Sequence, residues 1–464
     1  MARPAQITRE NLAPLIRARG PISATELAGL LRVNRTTIAR VLPDFADELV
    51  TLGATRSTRY LLRRAIRNCG NRWRIYRLDT AGRASEWAEL EALHDQLWRV
   101  SWVGAPPQWA EFFTAENGLW SGFPFFLGDV RPQGFLGHTI ASRISRTLQL
   151  PDDPRAWSDE DVLIYQQAAG EDLPGNQVVG DDCLRRALAR AGDLLGGDVI
   201  SDAEREAFYP QQALEIARSL PGSSAGGEQP KFLTMLRDEA GGFYPVLVKF
   251  SASMDQPTGQ RWADLLLCEF HAHLVLAEVG LAIPGARLLD AGGRRFLEIP
   301  RFDRIGPGGR RGVVSLEALA ASLIGHLSRN WMDATSELQR LGLIDAGSLA
   351  TIQRLHAFGE LIGNTDMHFG NLAFFLEDSV PLQVTPAYDM LPMLWAPGSQ
   401  GERVERQFFP APPLPAMTEP WREAVGWAEI FWQRVVADPR LSVEFGTVVR
   451  EAAAVVGQLR RHVG

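Results

Sequence analysis

Apolar residues recur at helical spacing near the start of the chain and predict three short helices. Thr8 to Arg19 is an amphipathic segment that ends before Gly20-Pro21. Ser23-Ala-Thr-Glu26 has the composition of a capping box and predicts the start of a second helix. A turn at Arg32 to Asn34 separates it from a third helix. The inward positions of the second and third helices are Leu27, Leu30, Leu31, Ile38, Val41 and Leu42.

Alternation of apolar and polar residues predicts two pairs of strands. Tyr60 to Ile66 and Arg72 to Leu78 flank Asn68-Cys-Gly-Asn71, which is typical of a turn, and predict a β-hairpin. Phe232 to Leu236 and Tyr244 to Phe250 are separated by turn-forming residues and predict a second antiparallel pair.

The rest of the chain is mostly helical in pattern. Helical periodicity covers residues 159–220, Arg261 to Gly280, and Leu316 to the end apart from a loop-rich stretch. Residues 84–150 are rich in Trp, Phe, Gly and Pro, and aromatic residues at this density predict a packed core. Phe296 to Arg304 predicts a last strand that runs into a hinge. Together these elements predict an α+β fold.

Composition excludes several classes of protein. The 464 residues are 45% apolar and 22% charged, which is typical of a globular chain with two to four folded units. No apolar run is long enough to span a membrane and the N-terminus has no signal-peptide core, so we expect a cytoplasmic protein with no membrane partner. Cys69, Cys183 and Cys268 have neither disulfide nor zinc-site spacing.

Charge is distributed unevenly along the chain. Residues 1–83 contain sixteen arginines and six acidic residues, a net +10, so residues 84–464 must carry −17 to give the overall −7. A basic unit on an acidic body predicts that the first part binds nucleic acid. We therefore interpret residues 1–83 as a winged helix-turn-helix domain that binds duplex DNA.

Particular side chains of this unit suit DNA. Arg35, Thr36, Thr37 and Arg40 at the third helix could reach bases and phosphates. The predicted hairpin would be the wing, with arginines that could clamp the DNA backbone: Arg63, Arg64, Arg67, Arg72, Arg74 and Arg77. The alternative is a small helical domain that binds another protein.

Only two of the 48 basic residues are lysines, Lys231 and Lys249. A compact ammonium on a flexible stem suits a position between phosphates better than the wide fork of arginine. Lys249 lies near the end of a predicted strand, like the strand lysine that contacts the α and β phosphates in kinases. Glu269 on the next helix is a candidate ion-pair partner, although an ordinary solvated glutamate is about equally expected.

The stretch from Ile362 to Phe375 has residues suited to phosphoryl transfer. Asp366 and Asn371 are five positions apart, the separation found in a kinase catalytic loop, where the aspartate holds the substrate hydroxyl and the asparagine binds magnesium. A strand leaving the loop and a return strand at Pro381 to Thr385 would bring Asp389 back to Asn371 as a second metal ligand. The alternative is that these residues only form turns.

Gly222 to Lys231 is a loop of small residues whose backbone amides could approach phosphates closely. It matches neither a Walker A motif nor a Gly-x-Gly-x-x-Gly loop, so an ordinary linker is the alternative. In the phosphate-binding interpretation Ser224 lies near the transferable phosphate. Ser224, or Ser223 beside it, is then a candidate for autophosphorylation that would expel the loop and switch the enzyme off.

At these residues the chain resembles the HipA family of bacterial serine/threonine kinases, the toxins of toxin-antitoxin pairs. The resembling segments are Ser224 to Lys231, Val248 to Phe250, Arg301 to Arg304, Ile362 to Asn371 and Thr385 to Asp389. The fused N-terminal domain is similar to the YjjJ branch of that family. The resemblance implies a two-lobed protein-kinase-like fold with a mainly helical C-lobe, which uses ATP and Mg²⁺.

The resemblance also implies roles for individual residues. Asp366 would be the catalytic base, and Asn371 and Asp389 would hold the metal. The residues expected to bind ATP are Ser224, Gly226, Gly227, Gln229, Lys231, Lys249, Pro300, Arg301, Phe302 and His368. From the residues alone, His368 could equally order the loop or be only structural. The expected partners are a protein substrate, duplex DNA and, as a candidate, an antitoxin-like protein.

We expect three parts: the DNA-binding domain at 1–83, a kinase N-lobe with a lead-in subdomain at 84–300, and a helical C-lobe with the catalytic loop at 301–464. Two other functions fit the same residues. One is a small-molecule phosphotransferase, because Asp-x-His-x-x-Asn also occurs in aminoglycoside phosphotransferases. The other is a transcriptional regulator whose kinase-like part senses a nucleotide. The complete set of Lys249, Asp366, Asn371 and Asp389 favours a kinase, because a sensor could lose its base.

Overall fold

The computed structural model describes residues 7–114, 116–196, 199–219, 229–324, 330–398, 401–402 and 406–463. Within these ranges, no helix is long and apolar enough to cross a membrane. The first three helices lie where the apolar spacing predicts them. They are α1 (Arg9–Arg19), α2 (Ala24–Leu31) and α3 (Arg35–Val41).

These helices pack around a small core of their own. The capping box is confirmed, because Ser23 Oγ accepts from the Glu26 amide at 3.2 Å and the Glu26 carboxylate accepts from the Ser23 amide at 2.7 Å. The predicted inward positions Leu27, Ile38, Val41 and Leu42 are buried in this core. The prediction that Leu30 faces inward is wrong, because its side chain is exposed at the surface of α2.

The hairpin of this unit differs from the predicted one. β1 (Leu49–Leu52) pairs antiparallel with β2 (Arg59–Leu62). The predicted partner, β3 (Arg72–Leu78), instead pairs with strands further along the chain. The prediction of a hairpin between residues 60–66 and 72–78 is therefore wrong. The physical reason is that Trp73 and Ile75 of β3 are buried in a second core rather than exposed on a wing.

The arginines assigned to the wing are mostly engaged within the protein. Three form ion pairs with acidic residues of the second unit: Arg63 with Glu91, Arg64 with Glu160 and Arg67 with Asp161. Because carboxylates neutralise them, the assignment of these three to a DNA clamp is wrong. Arg72 and Arg74 lie on β3, so their assignment to a DNA-binding wing is wrong as well.

The second unit is built around an antiparallel sheet in the order β6-β5-β4-β3-β7. Besides β3, its strands are β4 (Ala84–Ala92), β5 (Leu97–Trp102), β6 (Leu119–Ser121) and β7 (Gln177–Val179). Its helices are α4 (Phe125–Gly128), α5 (Gly134–Leu148), α6 (Asp159–Ala169) and α7 (Asp181–Gly196). The aromatic residues of this unit pack in a buried core that includes Trp87, Trp98 and Trp109. The expectation that its aromatic residues form a core is confirmed.

A second five-stranded sheet, in the order β11-β12-β10-β9-β8, carries both lysines. Its strands are β8 (Ile200–Ser201), β9 (Lys231–Arg237), β10 (Phe243–Phe250), β11 (Arg287–Ala291) and β12 (Arg294–Pro300). Helices α8 (Arg205–Ser219) and α9 (Pro257–Glu278) contact the sheet. β9 and β10 are the predicted antiparallel pair, and Lys231 lies opposite Lys249.

The C-terminal part is mainly helical, as predicted. Its helices are α10 (Leu316–Leu323), α11 (Trp331–Arg340), α12 (Ala346–Ile362), α13 (Thr418–Ala437) and α14 (Val443–Val463). The short strands are β13 (Arg304–Ile305), β14 (Gly309–Arg310), β15 (Val313–Ser315) and β16 (Ala373–Phe375). β16 pairs with β15 and also with the predicted return segment at Pro381 to Thr385, because the Phe375 amide donates to the Gln383 carbonyl at 2.8 Å and the Thr385 amide to the Ala373 carbonyl at 2.9 Å. That segment meets β16 at an isolated bridge between Phe374 and Val384.

Candidate active site

Helix α12 leads into the loop that carries Asp366. The helix ends at Gly363, whose φ of 75° is a left-handed conformation that glycine adopts without strain. Asn364, which is buried, then joins two parts of the site. Its Oδ1 accepts from the Asp366 amide at 3.0 Å, and its Nδ2 donates to the Asp389 carbonyl at 3.3 Å. The sequence pattern does not indicate this role of Asn364, although the residue lies two positions before Asp366.

The carboxylate of Asp366 makes no hydrogen bond or ion pair with a described residue. It lines a groove of about 760 Å³, together with His368, Trp331 and Phe408. Partial desolvation raises the pKa of Asp366 above its ordinary value, and the charge of Asp389 raises it further, while His368 opposes the shift. A free carboxyl with a raised pKa at the edge of a groove is suited to accept a proton.

Asn371 lies on the same loop with one side-chain atom available. Its Nδ2 donates to the Asp366 carbonyl at 2.8 Å, which fixes the amide plane. Its Oδ1 has no hydrogen-bond partner in the part of the chain that the structure describes. An oxygen held in this way can bind a hard cation.

Lys249 lies between two carboxylates. Its Nζ is 2.5 Å from Glu269 Oε1 and 2.5 Å from Asp389 Oδ1, and the lysine is 3% exposed. The ion pair that we considered for Glu269 is therefore present. Burial lowers the pKa of Lys249, but Asp389 and Glu269 raise it above its ordinary value, so the ammonium stays charged.

Asp389 is ionised and held in an unusual backbone conformation. Its φ is 55°, a left-handed value that is uncommon for residues other than glycine. Burial acts to raise the pKa of its carboxyl, but Lys249 and Lys231 lower it to about 2. The side chain is therefore negative at neutral pH, as a metal ligand must be.

The start of β9 adds the second lysine. Lys231 lies directly opposite Lys249, and cross-strand partners point to the same face of a sheet, so both ammonium groups project to one side. Gln229 donates from Nε2 to the Phe250 carbonyl at 2.8 Å, and its buried Oε1 has no partner among the described residues. The other predicted members of this loop, Ser224, Gly226 and Gly227, lie outside the described residues.

A cleft of about 420 Å³ opens beside the hinge and is lined by Leu247, Arg301, Phe302 and Tyr388, among others. Small-molecule sites have volumes of roughly 300–1,000 Å³ and mostly apolar walls. The rings of Phe302 and Tyr388 lie 5.8 Å apart and give the cleft an aromatic wall. Pro300 ends β12 and does not line it.

The cleft is placed next to the charged residues by chain connectivity. Leu247 and Lys249 are two residues apart on one face of β10, and Tyr388 immediately precedes Asp389. The Tyr388 hydroxyl donates to the Gly370 carbonyl at 2.8 Å, one residue before Asn371. The structure thus brings the predicted lysine, metal ligands and hinge to adjoining walls.

His368 orders the catalytic loop. Its Nδ1 accepts from the Gly370 amide at 3.0 Å, and its carbonyl accepts from Trp331 Nε1 at 2.9 Å. These two hydrogen bonds support a role of His368 in ordering the loop, which is one of the alternatives that the sequence allowed. His368 lines the groove of Asp366 rather than the cleft beside the hinge.

The second unit contributes a wall of the cleft that the sequence did not predict. Asp129 lines it and accepts from the Ser315 amide at 2.8 Å and from the Ser315 hydroxyl. Desolvation raises the pKa of Asp129 to about 6. Glu317, in the first turn of α10, lines the same cleft. No motif could reveal this contact, since its two halves are 186 residues apart.

These residues fit a magnesium ion and a nucleotide. The carboxylate of Asp389 and the free oxygen of Asn371 are the hard ligands that magnesium prefers. Among the described residues no group of three or more His, Cys, Asp or Glu could hold a metal. The protein would therefore supply a minority of the ligands, as it does where magnesium binds together with phosphates.

The N-terminal unit presents unpaired arginines on α3. Arg35, Thr36 and Arg40 are exposed, and Thr37 is half-buried. Neither Arg35 nor Arg40 forms an ion pair with a described residue. Their positive charges are therefore available at the surface, unlike those of Arg63 and Arg64.

Comparison with known proteins gives the family. A family model described as the YjjJ-like toxin middle domain matches residues 69–188, and one described as the HipA-like C-terminal domain matches residues 223–439. The chain is 34% identical over 447 residues to Toxin YjjJ of Escherichia coli (strain K12), covering 96% of this chain and 97% of that protein. It belongs to the YjjJ-like, HipA-related toxin family.

In this YjjJ-like protein the middle-domain match begins just before β3, in keeping with the place of β3 in the second sheet. The HipA-like match includes both lysines and the loop of Asp366 and Asn371. Two solved structures are more distantly similar. The Shewanella oneidensis MR-1 toxin-antitoxin system of HipA, HipB and operator DNA has 13% identity and a TM-score of 0.49, covering 84% of this chain and 97% of that chain. The Helicobacter pylori proinflammatory kinase CtkA has 13% identity and a TM-score of 0.36, and the match covers 51% of this chain and 91% of that chain.

Proposed function

We propose that this YjjJ-like protein is an ATP- and magnesium-dependent serine/threonine protein kinase that acts in the cytoplasm. The observation that carries the proposal is the cluster of Lys249, Glu269 and Asp389 beside an unpaired carboxylate at Asp366. A strand lysine paired with a helix glutamate, together with a base and metal ligands on nearby loops, is the set that protein kinases use.

In the proposed reaction ATP is the substrate that supplies the phosphoryl group, and Mg²⁺ neutralises charge on its phosphates. Asn371 and Asp389 would hold the metal, and Lys249 and Lys231 would contact phosphate oxygens. Asp366 would hold the hydroxyl of the protein substrate and accept its proton as the new oxygen-phosphorus bond forms and ADP leaves. The raised pKa of Asp366 favours this transfer, because a stronger base accepts the proton more readily.

The test is phosphate transfer from labelled ATP by the purified protein, with magnesium and cell lysate, compared with Asp366→Asn. Acid-stable label on serine or threonine of a lysate protein, formed only by the wild type, would support the proposal. Label in the small-molecule fraction would point instead to a small-molecule phosphotransferase. Nucleotide binding without any transfer would point to a nucleotide-sensing regulator.

We also propose that the N-terminal unit is a winged helix-turn-helix that binds duplex DNA, with β1 and β2 as its wing. Support comes from Arg35 and Arg40, which are exposed on α3 without acidic partners. An antitoxin-like protein is a further proposed partner.

We keep Ser224 as a proposed site of autophosphorylation. Intact mass and peptide mapping of the wild type and of Asp366→Asn would test it. A phosphate at Ser223 or Ser224 found only in the wild type would support the switch, and an unmodified loop in the active enzyme would overturn it.

A further inference from the structure

A second cavity adjoins the cleft and shares Arg301 with it, but no step of the proposed phosphoryl transfer takes place there. It has a volume of about 170 Å³ and lies between α7, β9 and the hairpin of β13 and β14. Four arginines line it, and we call it the four-arginine cavity: Arg190, Arg301, Arg304 and Arg310. Asp172 is the one carboxylate among the described lining residues.

Carboxylates do not balance these arginines. Asp172 lies 3.1 Å from Arg190 and 3.3 Å from Arg304. Asp303 lies 2.8 Å from Arg301 and 2.7 Å from Arg304. Two carboxylates thus serve four guanidinium groups, which leaves a net charge of +2 on the cluster.

Arg310 has the least compensation of the four. It is 6% exposed, its Nη2 donates to the Glu171 carbonyl, and its buried Nη1 has no hydrogen-bond partner among the described residues. No described carboxylate forms an ion pair with it. Burial, and after it repulsion from Arg304, lower the pKa of Arg310 to about 10. A buried charge without a partner is costly, so a bound anion would stabilise this part of the fold.

We propose that the four-arginine cavity binds a small phosphate-type anion, with the guanidinium groups of Arg310 and Arg190 as its principal donors. Guanidinium groups match phosphate oxygens in geometry and keep their charge when buried. The volume exceeds the roughly 150 Å³ of a protein cavity that holds benzene, so a phosphate ion fits. Arg301, Asp172 and Leu233 line both the cavity and the nucleotide cleft. The bound anion therefore braces the wall that the two sites share.

The test is the melting temperature of the full-length protein during a titration with sodium phosphate, with sodium chloride at equal ionic strength as the reference. No nucleotide or magnesium is added, so the result does not depend on the kinase proposal, and Asp366→Asn should respond like the wild type. The wild type should melt at temperatures that rise with the logarithm of the phosphate concentration.

Two variants locate the site. Arg310→Gln should abolish the phosphate response, and without phosphate it should melt above the wild type because an uncompensated charge has been removed. Arg190→Gln changes a rim residue that is half exposed, so folding is preserved, and it should raise the phosphate concentration needed about tenfold, the loss expected for one charge-assisted bond. Arg185→Gln, exposed on the same helix and paired with Asp182, is the matched control.

The proposal would be overturned if phosphate raised the melting temperature of the wild type no more than chloride does. It would also be overturned if Arg310→Gln and Arg190→Gln both responded to phosphate as strongly as the wild type. A parallel titration with magnesium-free ATP identifies the source of the anion. Stabilisation by ATP that Arg310→Gln removes would assign the cavity to a nucleotide phosphate. Stabilisation by inorganic phosphate alone would assign it to the free ion.

Discussion

The side chain of Met367 packs directly against the backbone of Gly359. A Cβ at position 359 would overlap the Met367 sulfur and lie 3.3 Å from its Cε. Gly359 is in α12, and Met367 immediately follows Asp366, so the absence of a side chain at 359 lets the catalytic loop approach the helix. An added Cβ at position 359 would therefore require the flexible side chain of Met367, next to the proposed base, to move.

Gly359→Ala should force the Met367 side chain into another rotamer, and because only the flexible end of that side chain meets the new Cβ, kcat should fall by no more than about tenfold. Activity and melting temperature are measured together to separate catalysis from folding. The double variant with Met367→Ala should recover much of the loss, because the colliding sulfur is gone. A double variant as slow as Gly359→Ala would show that this contact does not position the loop.

Asp366→Asn should lower phosphate transfer about 10²–10⁴-fold while nucleotide affinity stays near that of the wild type. The amide keeps the size of the side chain but cannot accept the substrate proton. Calorimetric titration with nucleotide and magnesium provides the binding control. Transfer at the wild-type rate would remove Asp366 from the role of base.

Lys249→Arg should lose at least about tenfold in activity, although charge is kept. The ammonium lies 2.5 Å from both Glu269 and Asp389, and the broader guanidinium cannot occupy that space. Lys231→Arg is the matched control, since Lys231 is only half-buried at the start of β9 and should tolerate arginine better. Equal activity of Lys249→Arg and the wild type would mean that a compact cation is not required.

DNA affinity should fall steeply with salt, with a log-log slope of about −0.9 for each phosphate that the protein neutralises. Arg35→Gln and Arg40→Gln should each make the slope shallower by about one, and Thr37→Ala should weaken some sequences more than others. Arg72→Gln is the control, because Arg72 lies on β3 in the second sheet. Fluorescence anisotropy with labelled duplexes measures these slopes. A salt-independent interaction would favour the protein-binding alternative.

Asp129 should make the folded protein less stable as pH rises from about 4 to 6. Its pKa in the folded state is raised to about 6, so its protonated form favours folding, and that contribution is lost as the pH passes the folded value. Asp129→Asn mimics the neutral form: its Oδ1 can still accept from the Ser315 amide, and its Nδ2 can donate to the Ser315 hydroxyl oxygen. Relative to the wild type, the variant should gain roughly 1–3 kcal/mol between pH 4.5 and 7.5. The melting temperatures of both proteins across this range test it, and parallel curves would contradict it.

The sequence by itself determined the elements whose signals are local. The capping box at Ser23 and Glu26, the antiparallel pair β9 and β10, and the five-position separation of Asp366 and Asn371 each depend on neighbours along the chain. Propensity, alternation and hydrogen bonds across a few residues are sufficient to specify them. The two lysines were found by composition, because the chain otherwise uses arginine throughout.

The tertiary structure alone decided which distant residues meet. The sequence of β3 is typical of one half of a hairpin, but Trp73 and Ile75 are buried and β3 lies in the second sheet. Glu91 and Asp161 form ion pairs with Arg63 and Arg67, which the sequence had predicted to bind DNA. The contact of Asp129 with Ser315 and the unpaired Nη1 of Arg310 likewise have no sequence signal. The physical reason is that burial and ion pairing depend on packing between segments far apart in the chain, whereas sequence patterns report the preferences of near neighbours.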